Sequence, residues 1–328
     1  METILNQEKL DKEYRPINME FLENTGYATF DIYYKTSSLN TVKLAKFVSS
    51  NPRDRDKMFK LMESGLCDGK FFVHEDDLFR YYGEATKTLR TFVSDPAVPI
   101  QVKTKKVYDV SKGIMKEFFE YNASNKVLEA SSEVMAIMDE CLSNNVVGFY
   151  AISQITNKDY YTYTHSVNVG LYCMTYGIKN KMSSDMTKQM GLGGMFHDVG
   201  KSKVPATIIN KDGQLTDDEF LEMKQHAPLG MEMLLGMKCY GKCVTEMAGQ
   251  HHEKYQGGGY PKGLIGDEIS FYARVCKLMD VYDALTTRRS YKKGMAPLDA
   301  LTLMKRHMAP EFDPKLLDKF ITLMGPDM

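Results

Sequence analysis

The chain has no apolar run approaching the roughly 18–20 residues that a membrane-spanning helix needs. The expectation is a protein that stays out of the membrane. It has no basic excess either: 42 Lys and Arg stand against 43 Asp and Glu, for a net charge of -1. A sequence-independent surface for long nucleic acid would show such an excess, so that class is excluded. A small anionic ligand is not, because it needs only a local basic cluster. Cysteine is sparse. Cys67, Cys141, Cys173, Cys239, Cys243 and Cys276 are scattered through mostly helical patterns and predict reduced thiols in a cytoplasmic protein. Cys239 and Cys243 lie four apart with no second pair to complete a zinc site. The opening METILNQEKLDKEYRP is polar and shows no apolar core of an export signal. No internal repeat and no low-complexity tract is present.

What is there is an ordinary globular balance, 43% hydrophobic and 26% charged. At 328 residues the chain is long enough for two domains, each with its own core. Its two parts differ in texture. Thr29–Tyr34 is β-branched and aromatic and predicts a strand, as does Lys70–His74. Thr41–Val48 and Asp54–Ser64 are expected to be short helices, and Asp76–Tyr82 to begin another. Residues before Met19 are expected to be a poorly ordered arm. Ser94–Ile100 carries two prolines and marks a break. Beyond it the strand signal fades, and helical periodicity covers Val107–Tyr121, Lys126–Leu142, Tyr160–Tyr176, Ser184–Phe196 and Asp217–His226. It continues through Gly230–Met237, Val244–Tyr255, Ile269–Thr287, Pro297–His307 and Pro314–Met324. The predicted organisation is a small α/β domain over 1–100, a helical linker over 101–125 and an all-α domain over 126–328.

The all-α part concentrates metal-ligand side chains. Five of the seven histidines fall between positions 165 and 252: His165, His197, His226, His251 and His252. Asp198 adjoins His197, and Asp280 follows on a long helix. Buried polar groups cost free energy unless paired or coordinated, so such crowding calls for a shared partner. His74 and His307, standing alone, are assigned nothing. Adjacent ligands at a helix end diverge by about 100°, so His197 can serve one metal while Asp198 faces inward between two. A carboxylate suits that bridge because each oxygen can bind one ion. Mixed imidazole and carboxylate donors suit Mn, Fe, Co, Ni or Zn and disfavour Ca. Two such ions can hold a bridging hydroxide and absorb the charge that builds on a phosphoryl group.

The motifs resemble those of the HD-GYP family, the cyclic di-GMP phosphodiesterases of the HD superfamily, over about residues 125–328. The resemblance is carried by YTYTHSVNVG (161–170), FHDVGKSKVP (196–205), HAPLGMEML (226–234), HHEKYQGGGYP (251–261), ARVCKLMDVYDALTTRRSY (273–291) and EFDPKLLDKF (311–320). It implies an all-helical HD-type metal-dependent hydrolase domain. One divalent ion would be held by His165, His197, Asp198 and Asp280, and the other by Asp198, His226, His251 and His252. Iron or manganese is the first expectation, with Ni, Co or Zn also compatible. The catalytic residues implied are Asp198 and Lys201, the lysine aimed at a phosphate oxygen or the leaving 3′ oxygen. Substrate contacts are expected from Lys201, Tyr260 and Arg289. The basic run of Arg288, Arg289, Lys292 and Lys293 reads as a phosphate clamp, with a solvated helix end as the alternative for the two lysines. Tyr260 either lines the site or packs beneath its loop, and Asp283 and Glu253 either support a ligand or serve a neighbouring helix.

Two departures from the family pattern matter. Members with three metals place a glutamate four residues before the first histidine; here that position is Tyr161, so two ions are expected. The usual aspartate ahead of Gly-x-Gly-Tyr-Pro is Gln256, and Gly257–Gly259 form a run expected to make the loop flexible. The reaction implied is hydrolysis of cyclic di-GMP to linear pGpG, with GMP as an open further product, by a metal-bridging hydroxide attacking in line. The rival readings are a weak or inactive cyclic di-GMP receptor and a hydrolase of another cyclic dinucleotide. The N-terminal domain is expected to be a regulatory, sensory or dimerising module, with a purely structural cap as the alternative. A homodimer and, by family habit alone, a diguanylate cyclase partner are carried as open expectations.

Overall fold

The computed structural model describes residues 2–5, 13–22, 30–38, 41–48, 71–121, 125–143, 162–238, 240–287 and 294–324. It divides into two compact units, Met1–Pro99 with Ala123–Ile137, and Ile100–Asn122 with Met138–Met328.

The first unit is built on an antiparallel five-stranded sheet of β1 (Glu2–Leu5), β2 (Tyr14–Ile17), β3 (Ile32–Ser38), β4 (Thr41–Val48) and β5 (Phe71–His74). Their order is β1-β4-β3-β5-β2. Ile32, Leu44 and Val73 are fully buried. Helix α1 (Leu78–Ser94) buries Leu78, Tyr81, Tyr82, Ala85 and Leu89, a stripe at helical spacing.

Two expectations are corrected here. Thr41–Val48 is a strand, not a helix. Its TVKLAKFV pattern supports both periods, and pairing decides: β4 bonds β1 on one side and β3 on the other, while Leu44 is buried and Lys46 exposed. The described residues before Met19 are not a loose arm, because Glu2–Leu5 pairs with β4 and Tyr14–Ile17 with β5. Its polar composition hid the pairing. The strand expected over Thr29–Tyr34 begins at Ile32 and runs on to Ser38. The helix expected over Asp54–Ser64 lies outside the described residues.

The second unit is helical. It contains α2 (Ile100–Tyr121), α4 (Thr162–Lys179), α5 (Ser184–Phe196), a 3₁₀ turn (Val199–Lys203), α6 (Ala206–Ile209), α7 (Asp217–Lys224) and α8 (His226–Met237). It continues with α9 (Lys242–Gln250), α10 (Phe271–Thr286), α11 (Pro297–His307) and α12 (Pro314–Leu323). Helix α3 (Asn125–Ser143) contributes residues to both units. The expected linker 101–125 is therefore mostly α2, which groups with the second unit, while 123–137 groups with the first.

Helix α4 is the centre of the second unit. Every residue from Thr164 to Gly177 is buried, as expected of a helix surrounded by others. It meets α5 backbone to backbone: a Cβ on Gly170 would sit 2.8 Å from the Gly191 carbonyl oxygen, and one on Gly194 2.8 Å from that of Val169. On another side α2 meets α4, where the Tyr108 hydroxyl donates to Asn168 Oδ1 at 2.6 Å. Caps set the helix starts: Ser183 opens α5, a Thr216–Glu219 capping box opens α7 and Asp313 opens α12. Among the described residues no helix is long and apolar enough to cross a membrane.

Candidate metal centre

Five segments converge on one buried point. His165 comes from the first turn of α4, and His197-Asp198 from the end of α5. His226 is the first residue of α8. His251-His252 follow the last residue of α9, and Asp280 lies within α10. Gly200 makes the convergence possible. A Cβ there would stand 2.0 Å from the His226 carbonyl oxygen and 2.5 Å from Gly230 N. Only glycine lets the turn after Asp198 lie against the start of α8.

The side chains form two groups. Asp198, His226, His251 and His252 make one, and His165, His197 and Asp280 the other; within each, the ligand atoms lie within 4.8 Å of one another. Asp198 stands between them. Its Oδ2 is 3.4 Å from His197 Nε2 and 3.9 Å from His165 Nε2. Its Oδ1 is 3.4 Å from His226 Nε2 and 3.8 Å from His251 Nε2. Asp280 Oδ1 lies 3.1 Å from His165 Nε2 and 3.9 Å from His197 Nε2.

The imidazoles are oriented from behind. His197 Nδ1 donates to Gly194 O and His226 Nδ1 to Met223 O, both at 2.7 Å. His251 Nδ1 shares its proton between Met247 O and Ala248 O at 3.0 Å each. His165 Nδ1 donates to Asp283 Oδ2 at 2.7 Å. Each ring thus spends its proton on Nδ1 and presents a bare Nε2 inward, the tautomer a metal ligand needs. The Nε2 atoms of His226 and His251 then face each other as lone pairs 3.3 Å apart. His197 Nε2 and Asp198 Oδ1 are buried without a hydrogen-bond partner. Lone pairs turned on one another and an orphaned carboxylate oxygen are costly in a protein interior, and cations between them remove the cost. The donor set fits divalent transition metals.

The electrostatics agree. Burial alone would raise the Asp198 carboxyl, but Lys201, His197 and His226 hold it well below the usual carboxylate range. Burial likewise opposes ionisation of Asp280, and His165, His197 and His252 overcome it. Burial drives His251 far down, helped by the neighbouring rings of His252, His197 and His226. Burial also takes His252 down to about 3, against the pull of Asp280. Near neutrality Asp198 and Asp280 are therefore ionised and His226, His251 and His252 neutral, the forms that bind metal.

Around this centre the other expected residues fall into place unevenly. Lys201 donates to Asp198 Oδ2 at 2.5 Å. Tyr260 stacks on His252 with ring centroids 4.6 Å apart and an interplanar angle of 26°. Burial, with Asp198 and Asp280, raises its phenol, which stays protonated. Arg288, Arg289, Lys292 and Lys293, and Tyr161, lie outside the described residues. The glycine loop is anchored rather than loose. Gly257 and Gly258 do take positive φ, +92° and +76°. Yet Tyr255 N and Gln256 N donate to Glu311 O and Pro310 O, and Gly259 packs so closely that a Cβ would stand 2.3 Å from Lys254 N. Buried Glu253 accepts from the backbone N–H groups of Lys262 and Leu264 at 2.7 and 3.0 Å. Glu253 takes neither of the two roles open to it and holds the loop instead, whereas Asp283 serves His165.

Sequence reading missed the groups behind Asp283. Its Oδ1 accepts from Asn168 Nδ2 at 2.9 Å and from the Thr287 hydroxyl at 3.1 Å, and Asn168 Oδ1 in turn accepts from Tyr108. Asn168 was findable, one helical turn beyond His165. Tyr108 carried no local signal.

Residues 141–316, more than half of the chain, match the HD domain family. A cyclic di-GMP phosphodiesterase from Pseudomonas aeruginosa is 35% identical over 204 residues, 62% of this chain and 47% of that protein. A 3'3'-cGAMP-specific phosphodiesterase from Vibrio cholerae is 32% identical over 155 residues, 46% of this chain and 35% of its own length. The chain thus spans less than half the length of these curated relatives. In fold it is similar to a solved HDG"Y"P protein from Bdellovibrio bacteriovorus, with a TM-score of 0.66 at 18% identity over 95% of this chain and all of the other. The chain belongs to the HD domain family, and its motifs carry the HD-GYP pattern.

Proposed function

We propose that this protein is a binuclear metal-dependent phosphodiesterase that hydrolyses cyclic di-GMP to linear pGpG. The observation that carries the reading is the position of Asp198. Its two oxygens address different imidazole sets, Oδ2 facing His165 and His197 and Oδ1 facing His226 and His251. Asp198 would be shared between an ion held with His165, His197 and Asp280 and one held with His226, His251 and His252. Two divalent ions, when bound, lower the pKa of water to supply a nucleophile at neutral pH and neutralise charge on the phosphoryl group. Iron or manganese is the expected pair, and availability decides among the metals this donor set accepts.

The chain's own residues do the rest. Asp283, Gly194, Met223, Met247 and Ala248 fix the imidazole orientations before any metal arrives. Burial keeps bulk water from competing with charged groups in the site. Lys201, beside Asp198, brings an ammonium to where a phosphate oxygen or a departing 3′ oxygen gathers charge. Tyr260, a phenol stacked on His252, would contact the substrate beside that ring. Arg289 is retained as a phosphate contact on the strength of its motif.

The test is to incubate the purified chain, loaded with Mn(II) or anaerobic Fe(II), with cyclic di-GMP and separate the products by chromatography. Linear pGpG supports the reading. Tight binding without product makes the protein a receptor and turns attention to Gln256 and the glycine loop. A second substrate has a specific motive, since similar proteins include phosphodiesterases named for 3'3'-cGAMP. Parallel assays with that dinucleotide measure the preference.

A further inference from the structure

Helix α7 buries none of its residues, yet it carries an aromatic side chain toward the metal centre. Phe220 is 44% exposed. Its ring stands edge-on to Tyr260, with centroids 6.4 Å apart and an interplanar angle of 81°. Lys224, one turn further along α7, places Nζ 4.5 Å from the centroid of the Phe220 ring and 5.6 Å from that of Tyr260. Tyr260 itself is stacked on His252. An unbroken row thus runs from solvent to the candidate ligands: Phe220, Tyr260, His252, with an ammonium above the first two. Phe220 lies outside the buried core, so core packing does not account for it.

We infer that Phe220, Lys224 and Tyr260 form a base-and-phosphate subsite, in which a purine of the substrate lies on the exposed Phe220 surface and Lys224 pairs with the phosphate next to it. The inference rests on the reading of the centre as a cyclic dinucleotide phosphodiesterase. An exposed aromatic ring is a platform for any base, because every base offers a π-face. A flexible lysine beside it supplies the charge that a nucleotide phosphate seeks, as a point charge rather than a fork. The row's inner end at His252 puts a phosphodiester within reach of the ions, while its outer end holds the base in place. A subsite of this kind binds ground state and transition state alike, so its loss raises KM and leaves kcat unchanged.

The chain contains no tryptophan, so Phe220→Trp adds one fluorophore at the proposed contact. The experiment titrates this variant, as the full chain loaded with Mn(II), with cyclic di-GMP, with linear pGpG and with base-free ribose 5-phosphate. Saturable quenching by both dinucleotides and none by ribose 5-phosphate is expected. In parallel, Phe220→Ala should raise KM for cyclic di-GMP about tenfold, the scale of one stacked base. Its kcat should hold within about twofold, Phe220→Trp should restore KM, and cleavage of the base-free diester bis(p-nitrophenyl) phosphate should match wild type. Emission that does not move while the variant still cleaves cyclic di-GMP overturns the subsite and leaves the enzyme reading intact, as does an unchanged KM in Phe220→Ala. A wild-type chain that neither binds nor cleaves any cyclic dinucleotide overturns both.

Discussion

Asp198 is 1% exposed, and its charge survives there because every neighbour is arranged for it. The same holds one layer out. Asp283 is as deeply buried, and its two oxygens are occupied by His165, Asn168 and Thr287. Asp283→Asn keeps the shape but turns an acceptor of the His165 proton into a group that can present a donor. Metal affinity should fall by about 10–100-fold, read by competition with a chelating dye; unchanged affinity would show that His165 orients itself. Gly200→Ala forces a Cβ into the backbone of α8. A stability loss of about 1–3 kcal/mol is expected for such overpacking, visible as a lower apo-protein Tm together with lost activity. At this scale the candidate ligands, which the fold brings together, were legible in sequence, because histidine and aspartate crowded on apolar helices have few other uses. Gly200 was not singled out, since its role lies in a contact with α8 that local pattern does not encode. Tyr260 left two readings open, and the structure shows its ring on His252.

Among the elements, α4 was read almost correctly from periodicity, because a helix buried on all sides has a long and unambiguous apolar pattern. β4 was misread because eight residues are too few to separate the two periods, and the sheet on both sides settles what local preference does not. The helix expected over Asp217–His226 divides instead after Lys224, with His226 opening α8, and the one expected over Val244–Tyr255 stops at Gln250. In both cases the break falls beside a candidate ligand, His226 or His251. The least legible link is between α2 and α4. Tyr108, fully buried, reaches the metal centre through Asn168 and Asp283. Tyr108→Phe removes the hydrogen bond to Asn168 Oδ1, at a cost of about 1 kcal/mol. Chemical denaturation should register that loss, and metal affinity should weaken without any change in the ligands themselves. Full affinity in Tyr108→Phe would confine the tyrosine to packing.

On the scale of the molecule, the division into two units bears on how the N-terminal part is studied. Residues 123–137 group with the first unit, so a chain cut at residue 100 loses their partners. A regulatory role for the N-terminal part is therefore better tested in the full chain, by substitutions in the sheet, than by truncation. Metal couples to the fold as a whole. Ligands that bind the folded state alone stabilise it by about 2.7 kcal/mol at a hundredfold excess over Kd. Stripping the ions with a chelator should thus lower Tm, and Mn(II) should restore it. The general architecture, an α/β part followed by a helical part, was legible from the change in texture near residue 100. The sheet's five-stranded order was not, since pairing between strands far apart in sequence leaves little trace in local composition.

The central claim is that one carboxylate joins two metal sites. It is tested most directly by counting metal ions per chain, by elemental analysis, in wild type and Asp198→Ala after identical loading with Mn(II) and gel filtration. About two ions per wild-type chain and loss of both in Asp198→Ala are expected. An Asp198→Ala protein that keeps both ions while losing activity would contradict the bridge.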